Sequence, residues 1–154
     1  MYKVKMDGQT LYYPGDKEAV LTNPTLNLQT GYAGTFEFSV PPNNPLYDKI
    51  KNRSSMVSVF RDTTELFYGE VRKQPKVDRY RNKNVYCAGA MSFLADSIQP
   101  QAEYHDMTPR QMLETFLDIH NNQVEDRKKI YLGKVTITDA NDSLYRYTNF
   151  ENTL

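Results

Sequence analysis

The sequence predicts a β-rich α+β fold, a small barrel or half-barrel followed by the start of a mixed α/β unit. Three observations carry this. Between Met56 and Gly89, three segments alternate apolar or small residues with polar ones: Val57 and Val59; Phe67, Gly69 and Val71; Val85, Cys87 and Gly89. Period two of this kind marks strands of a sheet with one buried face. Short segments of this type recur along the first hundred residues with turn signals between them, which is how small barrels are built. Beyond Pro100 the apolar period becomes helical and then returns to two.

Taken in order, Tyr2 to Met6 and Thr10 to Tyr13 flank Asp7-Gly8-Gln9 and read as a hairpin. Pro14-Gly15-Asp16 ends the second strand, Asn23-Pro24 is expected to turn, and Leu26 and Leu28 alternate with polar residues as a short strand. Phe36, Phe38 and Val40 face one way in a strand over 35–40, which Pro41, Pro42 and Pro45 stop because proline offers no ladder donor. Leu46 to Lys51 fits one or two helical turns. The central meander spans Met56 to Phe60, Leu66 to Gln74 and Asn84 to Gly89, with turns at 61–65 and 78–83. Its second face, carrying Tyr68, Glu70, Arg72 and Tyr86, is expected to meet water or a partner. Met91, Leu94, Ala95 and Ile98 then fall at the spacing of a short amphipathic helix.

A second unit is expected over 101–154, after a first over 1–100. Thr108-Pro109-Arg110-Gln111 combines an N-cap residue, proline at the first helical position and glutamine three on from the cap. Met112, Leu113, Phe116, Leu117 and His120 line one face of the helix that follows, and Asn121-Asn122 ends it. Val135 and Ile137 read as a strand, Asp139 to Ser143 as a turn, and Tyr145 to Phe150 as the strand that pairs back. Asn152 and Thr153 are N-cap residue types with no helix after them, which reads as the N-terminal part of a longer protein.

Nineteen Lys and Arg balance nineteen Asp and Glu. A general polyanion-binding role is therefore not indicated, because it relies on excess cations to displace counterions from phosphates. Ala, Val, Ile, Leu, Met, Phe, Tyr and Cys together make up only 39% of the chain, and twelve of those residues are Tyr, a side chain suited to half-buried positions and to protein interfaces. The single cysteine, Cys87, excludes an internal disulfide and fits a reducing compartment. No apolar run resembles a signal peptide or a membrane span.

Candidate chemistry is sparse. Glu103, His105 and Asp106 crowd before the helix, but the second histidine, His120, lies about three turns further on, and a solvated loop accounts for them better than a metal site. His120 near the helix C-terminus suits the dipole there, and no nucleophile adjoins it in sequence. Cys87 has no basic neighbour in its strand to lower its pKa. No phosphate loop, nucleophile elbow or paired-carboxylate motif occurs. Catalytic, cofactor-binding and metal residues are thus expected to be none. The concentrated charge feature is Arg72, Lys73, Lys76, Arg79, Arg81 and Lys83, with Tyr80 among them and Asp78 the only acid. It reads as a solvated hairpin whose charge blocks edge pairing, or as a surface for phosphates or an acidic partner.

Two stretches carry a family resemblance. One is Gly34-Thr35-Phe36-Glu37-Phe38-Ser39-Val40-Pro41-Pro42-Asn43, running into Pro45-Leu46-Tyr47-Asp48-Lys49-Ile50. The other joins Val59-Phe60-Arg61-Asp62, Leu66-Phe67-Tyr68-Gly69-Glu70-Val71 and Val85-Tyr86-Cys87-Ala88-Gly89-Ala90-Met91-Ser92-Phe93-Leu94-Ala95-Asp96-Ser97. His120-Asn121 and Lys129-Ile130-Tyr131-Leu132-Gly133 continue the match. In this order the blocks resemble the tail-associated, or baseplate hub, proteins of long-tailed phages of Gram-positive bacteria, the prophage endopeptidase tail family, over their N-terminal region.

The resemblance implies a tail-hub-type β-barrel domain and a structural role in a phage or prophage tail tip. Such a hub is a homotrimer whose barrels form a pseudo-sixfold ring, joining the tail tube or distal tail protein to the tip. Partners implied are the distal tail protein or tail tube protein and the tape measure protein, with DNA met only in passage through the channel. The implied location is the virion, after synthesis in the host bacterial cytoplasm. In this family hydrolase activity belongs to a C-terminal extension, so this region is not expected to be an enzyme. The alternatives are a peptidoglycan-degrading tail enzyme and a carbohydrate- or nucleic-acid-binding β-barrel.

Overall fold

The first apolar alternation along the chain belongs to a hairpin, β1 (Tyr2–Met6) and β2 (Gln9–Tyr12), closed by Asp7 and Gly8, both at positive φ. That pair of conformations makes a two-residue turn that matches the twist of the strands. In the computed structural model, which describes residues 1–153, this hairpin begins a curled, half-barrel sheet of eight strands. The others are β3 (Thr22–Asn27), β4 (Thr35–Val40), β5 (Met56–Arg61), β6 (Thr64–Val71), β7 (Lys76–Val77) and β8 (Lys83–Gly89). The order is β2-β1-β5-β6-β8-β4-β3, antiparallel throughout, with β7 paired to β8. The meander read from the sequence, β5-β6-β8, is the centre of this order.

Its inward set is the one the alternation predicts. Val57, Phe67, Val71, Val85 and Cys87 are buried together with Phe36, Phe38 and Val40 from β4. The close approach is made at glycines. A Cβ on Gly69 would stand 2.6 Å from the Phe67 ring and against the Ala88 carbonyl, and one on Gly89 would collide with the Ala33 carbonyl oxygen and press the same ring at 3.2 Å. Phe67 therefore occupies space that two missing side chains leave.

Several expectations are corrected. Asn23-Pro24 is not a turn between elements but lies inside β3, where Asn23 takes a positive φ and the register to β4 slips between Thr22 and Thr25. Proline is tolerated there because β3 is an edge strand and the irregularity removes the need for its missing donor. Leu46 to Lys51 contributes one 3-10 turn, Tyr47–Lys49. Glu70, on the face expected to meet water or a partner, is fully buried and pairs with Arg72 Nε at 3.1 Å. Sequence period could not distinguish a solvated face from a covered one.

The chain divides into two compact units, Met1–Met91 and Ser92–Leu154, short of the change in character near Pro100. Residues 90–96 form a 3-10 helix in place of the expected amphipathic α-helix, and Phe93 and Leu94 are its buried residues, while Met91, Ala95 and Ile98 are exposed. Three residues per turn rotate the stripe away from the i, i+4 set. In the second unit β9 (Ile98–Gln99) pairs with β12 (Glu151–Asn152), and β10 (Ala102–Met107) pairs with β11 (Leu144–Thr148). The helix α1 (Pro109–Asn121) stands between β10 and β11 in sequence, and its predicted capping box is present: Thr108 Oγ1 accepts from Gln111 N, and Gln111 Oε1 accepts from Thr108 N.

Val135 and Ile137 form no strand, and Ile137 is exposed. The strand partner of 144–148 is instead 102–107, so Glu103, His105 and Asp106 lie on a strand and not in a loop. Alternation over so few residues competes with a longer-range partner, and the longer ladder wins. Replacing Gly89 by Ala is expected to lower stability by about 1–3 kcal/mol, the usual cost of overpacking, and Phe67→Ala by about 3–5 kcal/mol. Urea unfolding of the two variants measures both, and a neutral Gly89→Ala would contradict the packing described.

Candidate functional site

The two histidines have different fates. His120, on the last turn of α1, is fully buried, and Ser97, just beyond the 3-10 helix, is 1% exposed. Ser97 Oγ lies 2.7 Å from His120 Nδ1, and His120 Nε2 lies 3.2 Å from the Lys128 carbonyl oxygen. A carbonyl only accepts, so Nε2 carries the proton and, in the neutral ring, Nδ1 accepts from Ser97. With its O–H directed at Nδ1, Ser97 Oγ accepts from Thr153 Oγ1 at 2.6 Å, and Thr153 in turn accepts from Gln99 Nε2 at 2.8 Å. The result is a directed chain of hydrogen bonds joining β9, α1 and the end of β12.

A serine beside a histidine is the arrangement of a nucleophile and its base. Here both side chains are shut away from solvent, and Ser97 Oγ is also within 3.2 Å of the Leu94 carbonyl oxygen, so the pair serves to hold the unit together. No sequence pattern signals the pair, because Ser97 and His120 are adjacent only in three dimensions. Asn152 takes part in pairing β12 to β9, and Thr153 in this network.

Glu103 and His105 do meet on β10, with His105 Nε2 3.4 Å from Glu103 Oε1. The same oxygen accepts from Tyr145 Oη at 2.9 Å, and that hydrogen bond to a carboxylate holds the Tyr145 phenol above its ordinary pKa. Asp106 sits in the irregular part of the β10–β11 ladder at positive φ. Among the described residues no group of three or more His, Cys, Asp or Glu converges as a metal site would require. Cys87 is buried in the sheet interior, and burial pushes its thiol well above the usual range.

Two surface features remain, both on the first unit. The half-barrel leaves a cavity of about 620 Å³ between the β1–β2 hairpin and β3–β4, lined by Tyr2, Val4, Tyr12, Leu26, Phe36 and Leu66. It lies where the sheet does not close, since β2 and β3 are its two edges. At the centre of the order, the segment between β6 and β8 carries the cations noted above. Lys83 Nζ lies 4.0 Å from the centre of the Tyr47 ring, donates to the Tyr47 carbonyl at 2.7 Å and pairs with Asp48 at 3.2 Å. Lys73 stands 4.1 Å over Tyr86 and Arg79 4.7 Å over Tyr80.

Among the described residues no helix is long and apolar enough to cross a membrane. No family model matches the chain, and no curated protein matches its sequence.

Two outcomes follow from this geometry. Ser97→Ala leaves His120 Nδ1 and the Thr153 hydroxyl short of a partner and is expected to cost about 1–3 kcal/mol; combined with Thr153→Val the losses should fall short of their sum, because both act through one chain of bonds. Denaturant unfolding of the single and double variants reads this. Cys87 should resist iodoacetamide at neutral pH in the native protein and react fully in denaturant, since only the thiolate attacks and burial keeps the thiol protonated; mass spectrometry of the labelled chain decides it.

Proposed function

We propose that this chain is a structural component of a phage or prophage tail tip, the N-terminal region of a trimeric baseplate hub that joins the tail tube or distal tail protein to the tip. The observation that carries the reading is the ordered series of sequence blocks resembling that family. They fall on β4 and the proline turn after it, on β5 and β6, and on β8 with the 3-10 helix, strands that neighbour one another in a single sheet. The blocks are packing patterns, so they bear on assembly and not on a reaction.

A half-barrel with two open edges and an apolar cavity between them suits a protein completed by neighbouring copies, because a ring can cover edges that would otherwise pair nonspecifically. The tape measure protein would meet the same ring from the tube side, DNA would pass through its channel without a dedicated site, and the protein would reside in the virion. Any wall-cleaving activity would belong to a C-terminal extension.

Expression of the chain with its natural downstream sequence, followed by light scattering and negative-stain microscopy, is expected to give trimers with a central opening. A monomeric full-length protein would remove the ring. A cell-wall zymogram with the present chain is expected to stay dark, and lysis there would favour the tail enzyme instead.

A further inference from the structure

We propose that the hairpin spanning residues 72–83 is a preformed docking surface for an acidic protein partner. This rests on the structure of the first unit and not on the tail-tip reading. Of its six cations, Arg72 pairs with Glu70 and Lys83 with Asp48. Lys73, Lys76, Arg79 and Arg81 are exposed, and among the described residues none of the four forms an ion pair. Two acids stand near them, Asp78 in the turn and Glu37 on β4. The patch is therefore locally cationic on a chain whose total charge is zero.

The surface is held in place before any partner arrives. Asp78 accepts from the backbone of Tyr80 at 2.8 Å and of Asn82 at 2.9 Å, and from the Asn82 side chain at 3.1 Å. Burial pushes the Asp78 carboxyl up, but these hydrogen bonds outweigh it and hold the group below the usual carboxylate range. Tyr47 donates its hydroxyl proton to the Arg81 carbonyl, which ties the tip to the neighbouring 3-10 turn. A rigid tip spares a partner the cost of ordering it.

Three features favour a protein over a nucleic acid. Val77 and Tyr80 are 57% and 66% exposed within the cationic set, and the combination of Tyr and Arg around an apolar contact is the composition of protein-interface hot spots. Beside them a pocket of about 210 Å³ is lined by Lys73, Gln74, Lys76, Asn84, Tyr86 and Glu37; two lysines and two amides there can receive one carboxylate side chain. Glu37 in that wall tolerates separated carboxylates but opposes a phosphate backbone, whose charges recur without gaps.

The test is an NMR titration of the isotope-labelled chain with a random glutamate–tyrosine copolymer, set against oligothymidylate at the same salt. Expected are saturable amide shifts confined to 72–86 and the Tyr47 turn, with oligothymidylate the weaker ligand. Arg79→Ala with Arg81→Ala is expected to weaken copolymer binding by about tenfold or more, and Tyr80→Ala by several-fold, while the spectrum outside the hairpin stays that of the parent. Absence of saturable shifts, shifts elsewhere on the chain, or a Tyr80→Ala variant that binds as the parent does would each overturn the proposal. Tighter binding of oligothymidylate would make the surface a nucleic-acid site and overturn it equally.

Discussion

The first unit depends on one packing constraint, the seating of the Phe67 ring against the backbone of β6 and β8. Gly69 and Gly89 leave the space for that ring, and a Cβ at either would meet a carbonyl of a neighbouring segment as well as the ring itself. From this contact the inward row extends to Phe36, whose ring centre lies 6.1 Å away, and on to Phe38 at 4.8 Å from Phe36. Burying such a ring contributes about 1.5–3 kcal/mol, a large share of the few kcal/mol by which a small domain is stable. The order β6-β8-β4 follows, because these are the strands that bring Phe67, the two glycines and the Phe36–Phe38 row to one face.

The second unit is held differently. It has little apolar burial along α1, where His120 is the buried residue, and polar contacts do the joining: the Gln99–Thr153–Ser97–His120 chain, and the Asn121 side chain, which donates to the Ile130 carbonyl at 2.8 Å and accepts from Ile130 N at 2.9 Å. Every side chain of the chain of bonds has a partner inside the unit, with Gln99 Oε1 the one atom of the four residues that is buried without one among the described residues. A serine–histidine pair, which in an open cleft would suggest acyl transfer, is here enclosed and tied to its neighbours.

The unclosed edges of the half-barrel, the cavity between them and the cationic hairpin all lie on the first unit. The tail-tip proposal uses the edges; the acidic-partner proposal uses the hairpin, whose tip is pinned by Asp78 and Tyr47 before contact.

The sequence alone determined what depends on neighbours along the chain: the period-two rows of β5, β6 and β8, the Asp7-Gly8 turn and the Thr108–Gln111 capping box, each fixed by residues a few positions apart. The burial of Cys87 was legible for the same reason. Only the tertiary structure decided what depends on distant partners. Glu70 carries the alternation of an exposed residue and is nonetheless buried against Arg72, residues 102–107 take the place beside 144–148 expected of Val135 and Ile137, and Ser97 finds His120 across 23 positions of sequence. Period reports which face a side chain points to, whereas what covers that face is settled by chain segments that no local pattern encodes.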